Sequence, residues 1–281
     1  MANILILGSG SMGTAFSFPC SDNNHSVSIV GTYLEDDFID KIKSTQKHPT
    51  LNLAPQKNVN FFKFSNLKEE LNKKIDLVVV AVVSKGIEWA SIELSKSLNK
   101  KVPILLLTKG LSIHNDHYEV LAHKMERILK NNNLKDIDIS AAGGPCLAKG
   151  LANKAHTSVV FANKNIKIVK WIGKLISTKY YFTEFSKDVV GIEICSAIKN
   201  IYAMVIGTGQ NLNAESDLFQ KSVNEMKFLI KYFKGDVSTI LGLAGIGDLY
   251  VSAIGGRNSK MGNFLGQGFK FTTAKKKFMP K

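Results

Sequence analysis

Asn3-Ile-Leu-Ile-Leu7-Gly8-Ser9-Gly10-Ser11-Met12-Gly13 sets a short apolar run directly against a G-x-G-x-x-G turn. Such a run reads as a buried parallel strand, and a helical pattern opens from about Gly10. In this arrangement Gly8 permits the tight turn, Gly10 lets the backbone approach a pyrophosphate, and Gly13 lets helix and strand pack closely. The exposed N–H groups at the helix N-terminus, near Ser11 and Met12, then meet the diphosphate. A polar turn at 21–24 and a second strand at 26–30 complete the unit. That context specifies a dinucleotide site where the bare motif would not.

The same alternation continues outward. Short β-rich runs at 77–83, 104–107, 137–141 and 157–161 alternate with helical stretches at 85–98 and 117–130. This order predicts βαβ units in a doubly wound parallel sheet, an α/β fold. After about residue 186 glycine-punctuated helical patterns take over, at 189–207, 216–233 and 258–265. The expected division is a dinucleotide-binding domain at 1–185 and a helical domain at 186–281. The second strand runs out through Gly31, Thr32 and Tyr33, where an NAD-selective fold often carries an acid for the ribose 2′-OH. None stands there, and Glu35 and Asp36 read as a solvated helix start. Thr32 could donate to a 2′-phosphate, so the cofactor reads as NAD or NADP, with a lean to NADP.

The net charge of +14 would ordinarily suggest a polyanion partner. Of the 37 basic residues, however, only Arg127 and Arg257 are arginine, the other 35 are lysine, and asparagine numbers 22. Nucleic-acid sites favour the arginine fork, so the charge reads as general basicity and no nucleic-acid partner is expected. Cys20, Cys146 and Cys195 lie far apart without metal spacing, and the six histidines read as surface or loop residues, so no metal site is expected. Reduced thiols and the lack of a basic n-region point to the cytoplasm. The apolar stretch 189–209 contains Glu193 and Lys199, against stable membrane insertion.

Further polar or glycine-rich segments stand out. Lys109 follows the strand at 104–107, and the carboxyl end of a parallel strand faces the ligand crevice. Gly143-Gly144-Pro145-Cys146 would bring a substrate close to the backbone. Cys146 has no histidine placed to activate it as a nucleophile. Lys199 sits in an otherwise apolar helix, where burial of an ammonium costs several kcal/mol unless it is paired or deprotonated. A lysine so placed suits general acid or base work, with Asn200 as an orienting amide. Asp248 opens a helix after a glycine-rich run, as N-cap or site residue. Arg257, retained in a lysine-rich chain, offers a bidentate grip on phosphate.

Taken in order, Gly8–Gly13 with Thr14 and Ala15, 108–111, 196–200, and 242–249 followed by Arg257-Asn258 resemble the NAD(P)-dependent glycerol-3-phosphate dehydrogenase family. Gly255-Gly256-Arg257-Asn258 and the His48-Pro49 pair look like its archaeal-type branch. The resemblance runs from residue 3 to about 268. It implies a Rossmann-type N-terminal sheet and an all-α substrate domain like the C-terminal domain of 6-phosphogluconate dehydrogenase. It also implies reversible hydride transfer between dihydroxyacetone phosphate and sn-glycerol 3-phosphate, for phospholipid precursors. Lys199 matches the family's proton donor and acceptor, and Lys109 the lysine near substrate and cofactor. Gly144 matches a substrate-binding backbone position, and Ala148 a cofactor contact. Asp248 and Asn258 match the polyol site, and Arg257 the phosphate and cofactor contact.

Cys146 stands where the family has Ser or Thr for a substrate hydroxyl, and 220–222 departs from the family's Thr-Arg-Gly. Family members continue past the last residue here, and 275–281 matches no family segment. A shortened chain with an incomplete helical domain is therefore the expectation. Two alternatives remain open: a 3-hydroxy acid dehydrogenase of the same architecture, and an inactive dinucleotide-binding remnant. A homodimer is an open expectation.

Overall fold

The computed structural model describes residues 1–98 and 101–279. In the first half strand and helix alternate: β1 (Asn3–Leu7), α1 (Ser11–Asp22), β2 (Ser26–Val30), α2 (Asp36–Thr45), β3 (Val59–Phe62), α3 (Leu67–Asn72), β4 (Leu77–Val80), α4 (Ile87–Ser97) and β5 (Ile104–Leu106). A two-stranded hairpin follows, β6 (Leu111–His114) with β7 (His117–Val120), and then α5 (Leu121–Asn131), β8 (Ile139–Gly143), α6 (Ala148–Ala152), β9 (Thr157–Ala162), α7 (Ile166–Ile176) and β10 (Tyr181–Ser186). The main sheet has the order β10-β9-β8-β5-β4-β1-β2-β3. β1 pairs in parallel with both β2 and β4, so the winding reverses between β1 and β4. Ligands bind outside the strand carboxyl ends at such a reversal. All four residues of β4 are buried, as are Ile4–Leu7 of β1, because helices cover both faces of the sheet.

The rest is helical: α8 (Val189–Gly207), α9 (Leu212–Tyr232), α10 (Asp248–Gly255), α11 (Arg257–Gly266) and α12 (Phe271–Phe278). Two compact units result. One comprises Met1–Ala142 with Cys146–Val189, the other Val190–Lys281 with Gly143–Pro145. By length and mean hydropathy (1.6) α8 could cross a membrane, yet 61% of its apolar window is buried inside the fold. Ile194, Cys195 and Ala203 are fully enclosed, marking it as a core helix.

Several expectations need correction. The stretch 117–130 is not one helix: residues 117–120 pair with β6, and the turn at Asn115 and Asp116 takes positive φ at both positions (49° and 60°). Two successive left-handed residues are what a tight antiparallel hairpin needs. Strands β3 and β10 and helices α2 and α7 add to the expected elements; both strands are sheet edges with mixed polar faces, so their periodicity is weak. His25 and His48 lie in loops, as one of the two expected placements has it, but both are buried. Of the segment 275–281, residues through Phe278 lie in α12, while Pro280 and Lys281 lie outside the described residues.

Candidate active site

In the first unit the glycine turn follows β1 and opens α1. A Cβ on Gly8 would fall 2.8 Å from the Ala81 carbonyl oxygen, and one on Gly13 would fall 2.2 Å from the Gly8 carbonyl oxygen. Only hydrogen fits at either place, which holds α1 against β1. Gly10 caps α1 with no side chain, so no capping oxygen covers the first N–H groups near Ser11 and Met12. A cradle of open amides at a helix N-terminus suits an anionic diphosphate, and these residues fit a dinucleotide.

At the winding reversal a cleft of about 310 Å³ is lined by Met12, Ala81–Ser84 and Leu107–Lys109. The fold thus brings Lys109 and Met12 to one cleft. Thr108 fixes the approach by donating to the Val82 carbonyl at 2.6 Å. Thr32 and Tyr33 leave the end of β2, and the half-exposed Tyr33 ring meets Trp89 edge-on at 5.3 Å. Ala148 opens α6, and both Ala148 and Cys146 pack partly buried against the apolar core of this unit.

Sequence reasoning missed two side chains here. Glu35 is not a solvated helix start. Its Oε2 accepts from the Thr32 amide at 2.7 Å and from the Ser9 amide at 3.2 Å. His48 Nε2 lies 3.1 Å from the Ser9 carbonyl oxygen, while its Nδ1 accepts from the Leu51 amide at 3.1 Å. The ring is therefore assigned as the Nε2–H tautomer, donating to Ser9. Burial, the largest influence, lowers the His48 pKa below its ordinary 6.5, so the neutral ring is favoured. The signal for both lay in position: each residue sits in the β2–β3 connection beside the turn.

In the second unit Lys199, on α8, donates to Asp248 Oδ1 at the first residue of α10. The carboxylate is almost enclosed, with 2% of its side chain exposed against 12% for the lysine. An ion pair so desolvated holds both partners firmly. Asn200 is exposed on the next face of the helix, and adjacent helical positions do not face each other, so the orienting partner is Asp248 and not the amide. Gly144 takes φ +111°, and a Cβ on Gly143 would come within 2.7 Å of Ile192 and 3.1 Å of Ser196 Oγ, so this backbone lies flat on α8. Arg257 is exposed and Asn258 half-buried at the start of α11. Arg257 lines an apolar groove of about 990 Å³ with Leu212, Phe219, Tyr250 and Ile254, which Lys199 and Asp248 do not line. No cluster of three or more His, Cys, Asp or Glu suited to a metal ion occurs among the described residues.

Comparison with known proteins gives these features a family. The model described as the N-terminus of NAD-dependent glycerol-3-phosphate dehydrogenase matches residues 3–169, and that of its C-terminus matches 188–280. The second match extends past residue 268 and corrects the expectation that 275–281 resembles no family segment. An NADP(+)-dependent glycerol-3-phosphate dehydrogenase of Archaeoglobus fulgidus is 29% identical, over 96% of this chain and 82% of its own. A glycerol-3-phosphate dehydrogenase [NAD(P)+] of Bacillus velezensis is 30% identical, over 96% of this chain and 78% of its own. The crystal structure of the Coxiella burnetii glycerol-3-phosphate dehydrogenase superposes with a TM-score of 0.85 at 24% identity, covering all of this chain and 85% of that one, a likeness of fold. With its parallel Rossmann-like sheet followed by a helical domain, the chain belongs to the NAD-dependent glycerol-3-phosphate dehydrogenase family.

Proposed function

We propose that the chain catalyses the reversible NAD(P)H-dependent reduction of dihydroxyacetone phosphate to sn-glycerol 3-phosphate, a step that supplies phospholipid precursors. The observation that carries this reading is the Lys199–Asp248 pair, an ammonium held by an almost enclosed carboxylate. Bound nicotinamide would supply or accept the hydride at C2 of the substrate. Lys199 stabilises negative charge gathering on the C2 oxygen and delivers its proton there; in the reverse direction it takes that proton back. Asp248 keeps the ammonium charged and aimed. Arg257 grips the substrate phosphate, Asn258 and Asn200 bind polyol oxygens, and the Gly144 backbone and Cys146 line the substrate. Gly8, Gly10, Ser11, Met12 and Gly13 hold the diphosphate, with Thr32, Tyr33 and Ala148 on the cofactor and Lys109 near both ligands. Cytoplasmic placement belongs to the same reading.

A second reading, a dinucleotide binder without turnover, is favoured by the apolar groove beside Arg257 and by the exposure of Leu212 (82%) and Ile254 (70%) along it. Oxidation of reduced cofactor by purified chain separates the readings. Dehydrogenase function predicts a rate with dihydroxyacetone phosphate and none with 3-keto acids. A rate only with keto acids would replace the substrate. Cofactor binding with no rate on either would favour the second reading.

A further inference from the structure

Glu35 is the N-cap of α2, yet its side chain makes no hydrogen bond to the first turn of that helix. An N-cap carboxylate ordinarily satisfies those N–H groups and gains from the helix dipole. Here the chain turns back on itself, the Glu35 amide donating to the Thr32 carbonyl at 2.9 Å, and Oε2 reaches back to the Thr32 and Ser9 amides. Oε1 lies 3.9 Å from the point a Cβ on Gly10 would occupy. The carboxylate therefore stands over the glycine turn, at the carboxyl end of β2, although no acid follows β2 directly in sequence. His48 fixes the same residue from its other side through the Ser9 carbonyl.

We propose that Glu35 sets cofactor choice, accepting a hydrogen bond from the adenosine ribose and excluding a 2′-phosphate, so that the chain prefers NAD(H) to NADP(H). The proposal rests on the dehydrogenase reading and deepens it at the cofactor. An anion placed where the ribose is held repels a phosphate dianion and offers it no donor. Asp36 and Asp37 follow on the same turn, but Lys63 stands near both and offsets their charge, so the discrimination rests on Glu35. The one arginine of this unit, Arg127, is held by Glu119 at 2.6 and 3.3 Å and is not offered to a phosphate. Because the acid arrives from the helix cap, a search for an acid at the strand end leans toward NADP, whereas the folded geometry leans the other way.

The test is equilibrium titration of the intact chain with NADH and with NADPH, followed by nicotinamide fluorescence, for wild type and Glu35→Gln. Wild type is expected to bind NADH at least about tenfold more tightly, and Glu35→Gln to narrow the ratio to within about threefold. Thermal melting of the same samples checks that the variant is folded, and Asp37→Asn serves as a second, exposed variant that should move the ratio much less. Equal or tighter NADPH binding by wild type would overturn the proposal. So would a ratio unmoved in folded Glu35→Gln. Binding of neither cofactor would overturn the dehydrogenase reading itself, and the proposal with it.

Discussion

Asp248 has little solvent to share its charge with, so Lys199 is its main counter-ion and the two act as one unit. Asp248→Asn keeps the shape and removes the charge. Steady-state kinetics should show kcat/KM for dihydroxyacetone phosphate falling by about 10²–10⁴, the range of general acid catalysis, while NADH affinity stays unchanged. His48 supplies a pH dependence. Its pKa in the fold lies below the unfolded 6.5, so as pH falls the unfolded chain takes the proton first. The stability from neutral His48 is complete above about pH 6.5 and drains away as pH falls through the lowered value. His123, also lowered by burial and then by Lys164, adds the same sign. Urea midpoints at about pH 7.5 and 5.5 should therefore differ less in His48→Gln than in wild type. Lys199 was legible in the sequence because a charge interrupts an apolar helix. Glu35 and His48 were not, since the partner they share is the backbone of Ser9, 26 and 39 residues away, which only the fold brings beside them.

At the scale of elements, α8 and α11 cross so closely that a Cβ on Gly262 would lie 1.9 Å from the Met204 carbonyl oxygen, and one on Gly207 would lie 2.2 Å from that of Ser259. Backbone cannot yield as a side chain can, so Gly262→Ala should cost about 1–3 kcal/mol, read as a lowered thermal midpoint. Gly255 meets nothing within 4 Å, and Gly255→Ala should leave the midpoint level or raise it, by up to about 1 kcal/mol. An equal loss in both would contradict this account of the crossing. The central strands could be read from sequence because burial on both faces leaves continuous apolar runs, and α8 because most of its long apolar stretch is buried. The β6–β7 hairpin was hidden by the helical look of 121–131 beyond it, although Asn115-Asp116 carried the turn signal. Edge strands β3 and β10 bury part of one face only and leave a fainter pattern.

Over the whole molecule, the charge of +14 is carried almost entirely by lysine, and the candidate-site chemistry lies in two places: the cradle and Lys109 cleft of one unit, and the Lys199–Asp248 pair of the other. Sequence order linked them through family motifs. Geometry adds that the Gly143–Pro145 segment, though it leaves a strand of the sheet, belongs to the helical unit. The most direct measurement is dihydroxyacetone phosphate-dependent oxidation of reduced cofactor by wild type and Lys199→Ala, with cofactor affinity measured alongside. The account predicts turnover in wild type and a loss of about 10³ or more in Lys199→Ala at unchanged affinity. Full turnover in Lys199→Ala would contradict it.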